Sequence, residues 1–452
     1  MAAPREDPGD DRRASWTVRR GAGPVAVVSL CAVPVLIWAT SRPLHDRFAS
    51  ASAVLDTWAK VGAISGTSAF ALNLVLGARL RFVGWVFGGL DREYRVHRVL
   101  GAAALLLVLS HVLFLALSRA AEASGDPWGL FLPRAGWPVV LGLIALATML
   151  LGMGLTLFAR LNHELFVLVQ RGFGIIFVLA AIHVFAVPSM RASSPALVGY
   201  LGGISAIGLA AFVFRSVLGR FLVPRRDYRV EAVNRLDRDV VEIVMAPAGR
   251  PIRFIPGQFV YVAFLDGPVR RESHPYTLAS APSDHELKVV VKALGDYTGR
   301  LMDMNPGGRA RVQGPHGGFC ALLVPNVHQV WIAGGIGITP FLSMARTLDG
   351  PSAECAALEV DLYYCVEKRD RAFLIDDLFE IADRHPRFRV IPIRKDDLGR
   401  VTAADIEGVT PHLARNDIFI CGPPAMMRNL TSNLLDRGVP RRRIHSEEFG
   451  FP

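Results

Sequence analysis

Hydrophobic and polar positions are distributed unevenly along the chain. Uncharged apolar runs occupy 21–41, 61–78, 99–118, 137–158, 172–187 and 196–214, and most approach the ~20 residues that carry a helix across a bilayer core. After Pro224 these runs stop, and short apolar stretches of strand length alternate with Gly/Pro turns. The pattern predicts six membrane-spanning helices followed by a soluble half. It divides the chain into a disordered tail at 1–22, a transmembrane domain at 23–222, and soluble domains at 223–324 and 325–452. The run at 21–41 has a secretory signal as its alternative, but it is long for one and follows some twenty polar and charged residues.

Composition changes this picture little. Of 452 residues, 51% are hydrophobic and 20% charged, which is rich in apolar residues for a soluble protein. The net charge of +10 raises nucleic acid as a partner, and the placement of the arginines argues against it. Arg12, Arg13, Arg19 and Arg20 precede the first run, Arg79, Arg81, Arg92, Arg95 and Arg98 separate the second from the third, and Arg160 and Arg171 flank the turn between the fourth and fifth. Arg220, Arg225 and Arg226 follow the sixth, while the opposite loops carry only Arg42, Arg47, Arg119, Arg134 and Arg191. By the positive-inside rule both termini and the soluble half face the cytoplasm, lipid is the partner of the first half, and nucleic acid is not expected. Cys31, Cys320, Cys355, Cys365 and Cys421 are scattered, with no CxxC pair, which excludes a disulfide scaffold, a zinc ribbon and a built-in iron–sulfur cluster.

Histidines fall inside the apolar runs, where an ionisable side chain is a functional candidate. His97 and His111 are fourteen residues apart, close to four helical turns, so they share one helix face about 21 Å apart. A second helix with the same spacing would complete two axial imidazole pairs for two stacked b-type haems. The fifth run supplies His183, which pairs with His111, but the residue thirteen earlier is Gln170. At that second level three readings stand: a haem on His97 with Gln170 or water opposite, a haem that recruits His163, or no haem. His163 lies seven residues, roughly 10 Å of helix, before Gln170. Arg95, Arg98, Arg160 and Arg171 are candidates for haem propionates or for membrane anchoring, and Asp56 and Lys60 for an i,i+4 pair or for attraction of an anion above the outer haem.

Four Gly/Pro-containing segments follow in the soluble half. His274-Pro275-Tyr276-Thr277-Leu278-Ala279-Ser280-Ala281-Pro282 comes after the strand-like 258–262, and Lys292-Ala293-Leu294-Gly295-Asp296-Tyr297-Thr298 after the strand 289–291. A hydroxyl, an aromatic ring and backbone N–H groups near a cation suit a flavin and its pyrophosphate, although each segment alone reads as a β-turn. The third, Ala333-Gly334-Gly335-Ile336-Gly337-Ile338-Thr339-Pro340, runs from an apolar strand through a Gly-rich turn into a helix, the arrangement that admits a phosphate to backbone N–H groups. The fourth is Cys421-Gly422-Pro423-Pro424-Ala425-Met426-Met427 at the end of the strand 418–420. Cys421 is there either a small buried hydrophobe or a group at the strand end where a nicotinamide lies.

In that order the segments resemble the ferredoxin–NADP reductase superfamily, in the branch fused to a ferric-reductase-type membrane domain, which includes bacterial NADPH oxidases and eukaryotic ferric reductases. The resemblance runs from about residue 90 to the end. It implies a six-helix transmembrane haem bundle, then an antiparallel β-barrel FAD domain and an α/β nucleotide-binding domain. It implies that His274, Pro275, Tyr276 and Thr277 contact FAD, with Lys292 and Thr298 near its phosphates. Gly334, Gly335, Gly337, Thr339 and Pro340 would hold the dinucleotide pyrophosphate, and Cys421, Gly422 and Pro423 would border the nicotinamide. Phe451, with Phe449 behind it, would be the terminal aromatic that covers the flavin, and His316 replaces the usual aromatic in Gly314-Pro315-His316-Gly317. His97, His111 and His183 would be haem ligands, and Gln170 is the main departure. The implied activity is that of an NAD(P)H oxidase or ferric reductase in a bacterial plasma membrane, with oxygen, a ferric chelate or a quinone as acceptor. The alternative is a cytoplasmic NAD(P)H:FAD reductase that serves a redox protein partner. Lys368, Arg369 and Arg394 favour NADPH over NADH, against Glu367.

Overall fold

The computed structural model describes residues 22–41, 43–87, 90–122, 125–132, 136–159, 161, 163–218, 225–269, 271–350, 357–367, 371–394, 396 and 401–447. The expected disorder of the tail therefore falls outside the described residues, apart from Ala22. The chain divides into two compact units at Leu222/Val223.

Among its described residues the membrane unit contains six long helices, each long and apolar enough to cross a bilayer. They are α1 (Ala22–Ala39), α2 (Ala51–Gly77), α3 (Leu90–Ala120), α4 (Trp137–Phe158), α5 (His163–Ala186) and α6 (Pro195–Val213). Three of them begin well before their apolar runs. In α2, Ser50 caps the N-terminus by accepting from Ala53 N, and Lys60 Nζ lies 2.5 Å from Asp56 Oδ2. This i,i+4 pair neutralises two charges on one helix face and lets the helix continue through a polar stretch. α3 begins in an arginine-bearing stretch, Leu90–Arg98, and α5 begins at His163, nine residues before its apolar run.

α2 is the central helix, and small residues let its neighbours approach. A Cβ on Gly62 would lie 2.7 Å from Ser110 Oγ and 2.8 Å from Leu107 O of α3, and one on Gly66 would lie 3.1 Å from Val108 Cγ2. Gly62 and Gly66 form the small-xxx-small spacing typical of close helix contacts in membranes. On another side, Gly208 of α6 packs against the backbone of Ala71. The most extensive packing is of α3 on α2 and of α5 on α4.

The soluble unit begins with a six-stranded antiparallel sheet, ordered β4-β3-β6-β1-β2-β5, from β1 (Arg226–Asp237), β2 (Val240–Pro247), β3 (Phe259–Phe264), β4 (Ser273–Thr277), β5 (Leu287–Lys292) and β6 (Arg309–His316). Its inward residues, among them Tyr228, Ile243, Val260, Val262, Phe264 and Val289, form one core. Among the described residues, the chain just past β4 meets β5 at the single bridge Leu278–Val289, so the expected barrel is a curled antiparallel sheet that no full ladder closes.

A parallel five-stranded sheet follows, ordered β11-β10-β7-β8-β9, from β7 (His328–Gly334), β8 (Glu359–Val366), β9 (Phe388–Arg394), β10 (Asp417–Cys421) and β11 (Ile444–Glu447). It is accompanied by α7 (Thr339–Thr347), α8 (Ile375–Arg384), α9 (Ala403–Val409) and α10 (Pro424–Asp436). Val330, Trp331 and Ile332 of β7 are fully buried, as expected of a strand covered on both faces, and separate apolar clusters lie on the two sides. The chain runs outward from β7 through β8 to β9, then returns to place β10 on the other side of β7. The order therefore reverses between β7 and β10, and ligands of doubly wound sheets bind at the strand ends beside such a switch point.

Candidate functional site

In the soluble unit the four segments singled out in the sequence are tied together in pairs. The first forms β4, an edge strand, where Pro275 removes no needed donor. His274 and Tyr297 bring the first and second segments together, with ring centroids 3.9 Å apart. Tyr297 Oη donates to the carbonyl of Glu272 at 3.2 Å, and His274 Nε2 lies 3.4 Å from Glu272 Oε2. Burial raises the Tyr297 phenol, so it stays protonated and donates. Tyr276 is 8% exposed, its phenol is also raised by burial, and its hydroxyl has no hydrogen-bond partner. A buried hydroxyl without a partner costs about 1–3 kcal/mol, so this oxygen is suited to a bound polar group. Thr277, beside it, is buried and makes no hydrogen bond from its hydroxyl among the described residues.

Thr298 has local work. Its Oγ1 accepts from Leu294 N at 2.9 Å and Gly295 N at 3.1 Å, which orders the turn. Lys292 Nζ lies 3.9 Å from Asp239 Oδ2 and remains partly exposed.

The first segment also meets the third. Ser343 of α7 donates to Ser280 O at 2.7 Å and Arg346 to Ala279 O at 2.8 Å, which anchors the nucleotide-side helix to the end of the flavin-side strand. The third and fourth segments interlock at the switch point. A Cβ on Gly334 would lie 2.7 Å from Met426 Cε and 2.8 Å from Pro423 Cδ, and one on Gly337 would lie 2.3 Å from Cys421 O. Gly334 and Gly337 thus serve the contact between the two turns. Gly335, at φ +53° with open space where its Cβ would be, is the glycine at which a phosphate could approach the backbone. Thr339 donates to Ile336 O at 3.1 Å, and Pro340 occupies the first turn of α7, where its missing N–H is not needed.

Cys421 is fully buried and burial pushes its thiol well up, so it is neutral and not a nucleophile. Glu447 stands opposite it in β11. Phe449, Phe451, Lys368 and Arg369 lie outside the described residues; Arg394 and Glu367 lie inside. One feature carried no sequence signal: Arg371, ahead of α8, clamps Asp237 and Asp239 of the β1–β2 hairpin, with Nη1 2.6 Å from Asp237 Oδ2. Ion pairs between distant segments have no spacing rule that would reveal them.

In the membrane unit, three histidines share one arrangement. Nδ1 of His97 lies 3.1 Å from Asn73 O, that of His111 2.9 Å from Ala59 O, and that of His183 2.6 Å from Pro138 O. A carbonyl has no proton, so each Nδ1 is the donor. Each Nε2 therefore carries a lone pair and has no protein hydrogen-bond partner among the described residues. A fixed Nδ1–H and a free Nε2 are the hallmark of a metal-ligating imidazole. His111 and His183 each therefore leave Nε2 available to a ligand, as an axial imidazole requires.

Gln170, thirteen residues before His183, is turned toward α4, where its Nε2 donates to Thr156 Oγ1 at 3.2 Å. The side chain of His163 is outside the described residues, as is Arg160. Among the described residues no group of three or more His, Cys, Asp or Glu forms a cage for a bare metal ion.

Comparison with known proteins matches these parts one by one. The family described as ferric reductase like transmembrane component matches residues 62–181, an FAD-binding domain matches 226–307, and an oxidoreductase NAD-binding domain matches 331–431. The reductase subunit of an aromatic O-demethylase from Amycolatopsis sp. is 32% identical over 248 residues, 51% of this chain and 72% of the relative. The reductase subunit of a glycine betaine monooxygenase from Chromohalobacter salexigens is 30% identical over 224 residues, 45% of this chain and 58% of that protein. The crystal structure of an Amycolatopsis cytochrome P450 reductase is 27% identical, covering 50% of this chain and 71% of that one, with a TM-score of 0.42. The chain is thus an FAD- and NAD-dependent oxidoreductase and a membrane protein, and it belongs to the ferric-reductase-type family in which a transmembrane component is joined to a ferredoxin–NADP reductase-like module.

Proposed function

We propose that this oxidoreductase passes electrons from cytoplasmic NAD(P)H through FAD and b-type haem to an acceptor on the outer side of the membrane, oxygen or ferric iron. The observation that carries it is the arrangement of His111 and His183, each with Nδ1 donated to a backbone carbonyl and Nε2 left for iron. When bound, the flavin supplies two-electron exchange with the nicotinamide and one-electron exchange with haem.

The chain's own residues do the positioning. Ala59 O and Pro138 O hold the imidazoles of His111 and His183 in one tautomer and orientation. Tyr276 and Thr277 offer hydroxyls to FAD, and the tilted His274–Tyr297 ring pair supports that wall. Gly335 admits the dinucleotide phosphates, and the neutral, buried Cys421 closes the nicotinamide side against water. Phe451 is assigned the role of covering the flavin. The domain limits 1–22, 23–222, 223–324 and 325–452 belong to this reading, as do a bacterial plasma membrane and cytoplasmic termini, which the arginine distribution favours. Arg394 favours NADPH.

A second reading is favoured by the relatives, which are named as reductase subunits of oxygenase systems. On it, electrons leave the flavin for a redox protein partner on the cytoplasmic side. Anaerobic reduction of the full-length protein in detergent by NADPH separates the two. The first reading predicts a haem α-band that NADPH develops and that His111→Ala removes; flavin reduction without any α-band sinks it in favour of the second.

A further inference from the structure

The two levels of the membrane unit offer different ligands, and the difference is specific at the atomic scale. At one level, α3 and α5 each contribute an imidazole, His111 and His183. At the other, fourteen residues earlier in α3, His97 has the same Nδ1 contact, to Asn73 O at 3.1 Å. In α5, Gln170 lies thirteen residues before His183, about 20 Å along the axis.

Hydrogen bonding settles how Gln170 is turned. Thr156 gives its hydroxyl proton to Gly152 O at 2.8 Å, so its oxygen can only accept from Gln170. The Gln170 amide must then present Nε2, at 3.2 Å, and the side chain is held against α4. Its remaining donor atom is Oε1, a neutral amide oxygen. Oxygen donors of this kind suit hard cations, whereas imidazole suits iron in haem. His163 opens α5 seven residues, about 10 Å of helical rise, before Gln170. Among the described side chains, His97 is the one imidazole at this level.

We propose that the His97 level is a one-imidazole haem site: His97 is its sole protein ligand, and the side facing Gln170 takes an exchangeable neutral ligand, water at rest or a diatomic molecule such as carbon monoxide. This deepens the haem reading given above and rests on it. A six-coordinate group between His111 and His183 has no open position, so the two levels differ in spin state and in access to small ligands.

The test uses the full-length protein purified in detergent with its haem and flavin. We expect about two haems per FAD, one low-spin and one that gives a carbon monoxide difference spectrum after dithionite reduction. His97→Ala should remove the carbon monoxide-reactive group and leave the low-spin one. Gln170→His should keep the haem ratio, abolish the carbon monoxide band and add a second low-spin signal, a gain that misfolding cannot produce. A ratio near one, or two haems that both ignore carbon monoxide, overturns the proposal while leaving NADPH-driven reduction of the low-spin haem intact. Absence of haem altogether overturns both the proposal and the reading beneath it.

Discussion

Gly142 of α4 faces the ring of His183 so closely that a Cβ on it would lie 2.7 Å from Nδ1 and 2.8 Å from Cε1. The bare backbone lets the imidazole lie against α4 and reach Pro138 O at 2.6 Å. Gly142→Ala should therefore push the ring away, break the contact that fixes its tautomer, and weaken haem retention at the His111 level by about 10–100-fold, the usual cost of losing an outer-shell partner. Haem per flavin and the α-band after purification check this. Retention equal to wild type would show that the ring has no need of the space.

Tyr276 allows a sharper separation of binding from stability. Its buried hydroxyl lacks a protein partner, so Tyr276→Phe removes an unsatisfied group from the flavin-free protein and a hydrogen bond from the flavin-bound one. The expected result is FAD affinity lowered by about two- to twelvefold, matching ~0.5–1.5 kcal/mol, with thermal stability of the flavin-free protein unchanged or raised. Titration of the stripped protein with FAD and its melting curve provide the two readouts. Equal FAD affinity in variant and wild type would leave the hydroxyl outside the flavin site.

Glu93 is a second buried group of this kind, in the membrane unit. It is 0% exposed, neither carboxylate oxygen has a hydrogen-bond partner, and its Oε2 faces Gly84. A buried carboxyl without hydrogen bonds is costly, so Glu93→Leu should stabilise the detergent-solubilised protein by about 1–3 kcal/mol. A stabilised variant with slowed NADPH-driven haem reduction would instead mark Glu93 as functional.

The helices were legible because apolar runs of bilayer length have few other readings. Their polar ends were not, since Asp56 and Lys60 interrupt the run in sequence yet neutralise each other on the helix. The histidines stood out by type and spacing, and the spacing exposed Gln170. Their acceptors did not, because Asn73, Ala59 and Pro138 act through backbone carbonyls that every residue possesses. Gly62 and Gly66 carried a readable small-residue spacing, whereas Gly142 acts alone. In the soluble half the motif order was readable, but not which glycine faces a ligand. That depends on the fold, because Gly337 meets β10 only after the chain has returned to place β10 beside β7.

The unequal roles of those glycines can be tested directly. Gly337→Ala places a methyl 2.3 Å from Cys421 O, where backbone must move, so the variant should lose soluble, flavin-loaded protein. Gly335→Ala meets no atom and is strained only by its positive φ, about 1–2 kcal/mol, so it should fold, keep FAD and raise KM for NAD(P)H. Flavin content and steady-state kinetics with an artificial acceptor distinguish the two. A Gly335→Ala enzyme with wild-type KM would remove that position from the nucleotide site.

The clamp of Arg371 on the β1–β2 hairpin should make stability depend on acid. The Arg371 hydrogen bond holds the Asp237 carboxyl below its ordinary value. A carboxyl whose folded pKa is depressed contributes stability above its unfolded pKa, near 3.8, and loses it as pH falls through the folded value. The hairpin carries flavin-side strands and Arg371 precedes the nucleotide-side helix α8, so loss of the clamp should loosen one part of the soluble unit from the other. Asp237→Asn is expected to melt earlier than wild type at neutral pH, with the gap closing once the pH drops below about 4. Flavin release followed by fluorescence during heating, from neutral pH down to about pH 3, measures both curves. A gap that stays constant across that range would assign the loss to the shape of the side chain and not to its charge.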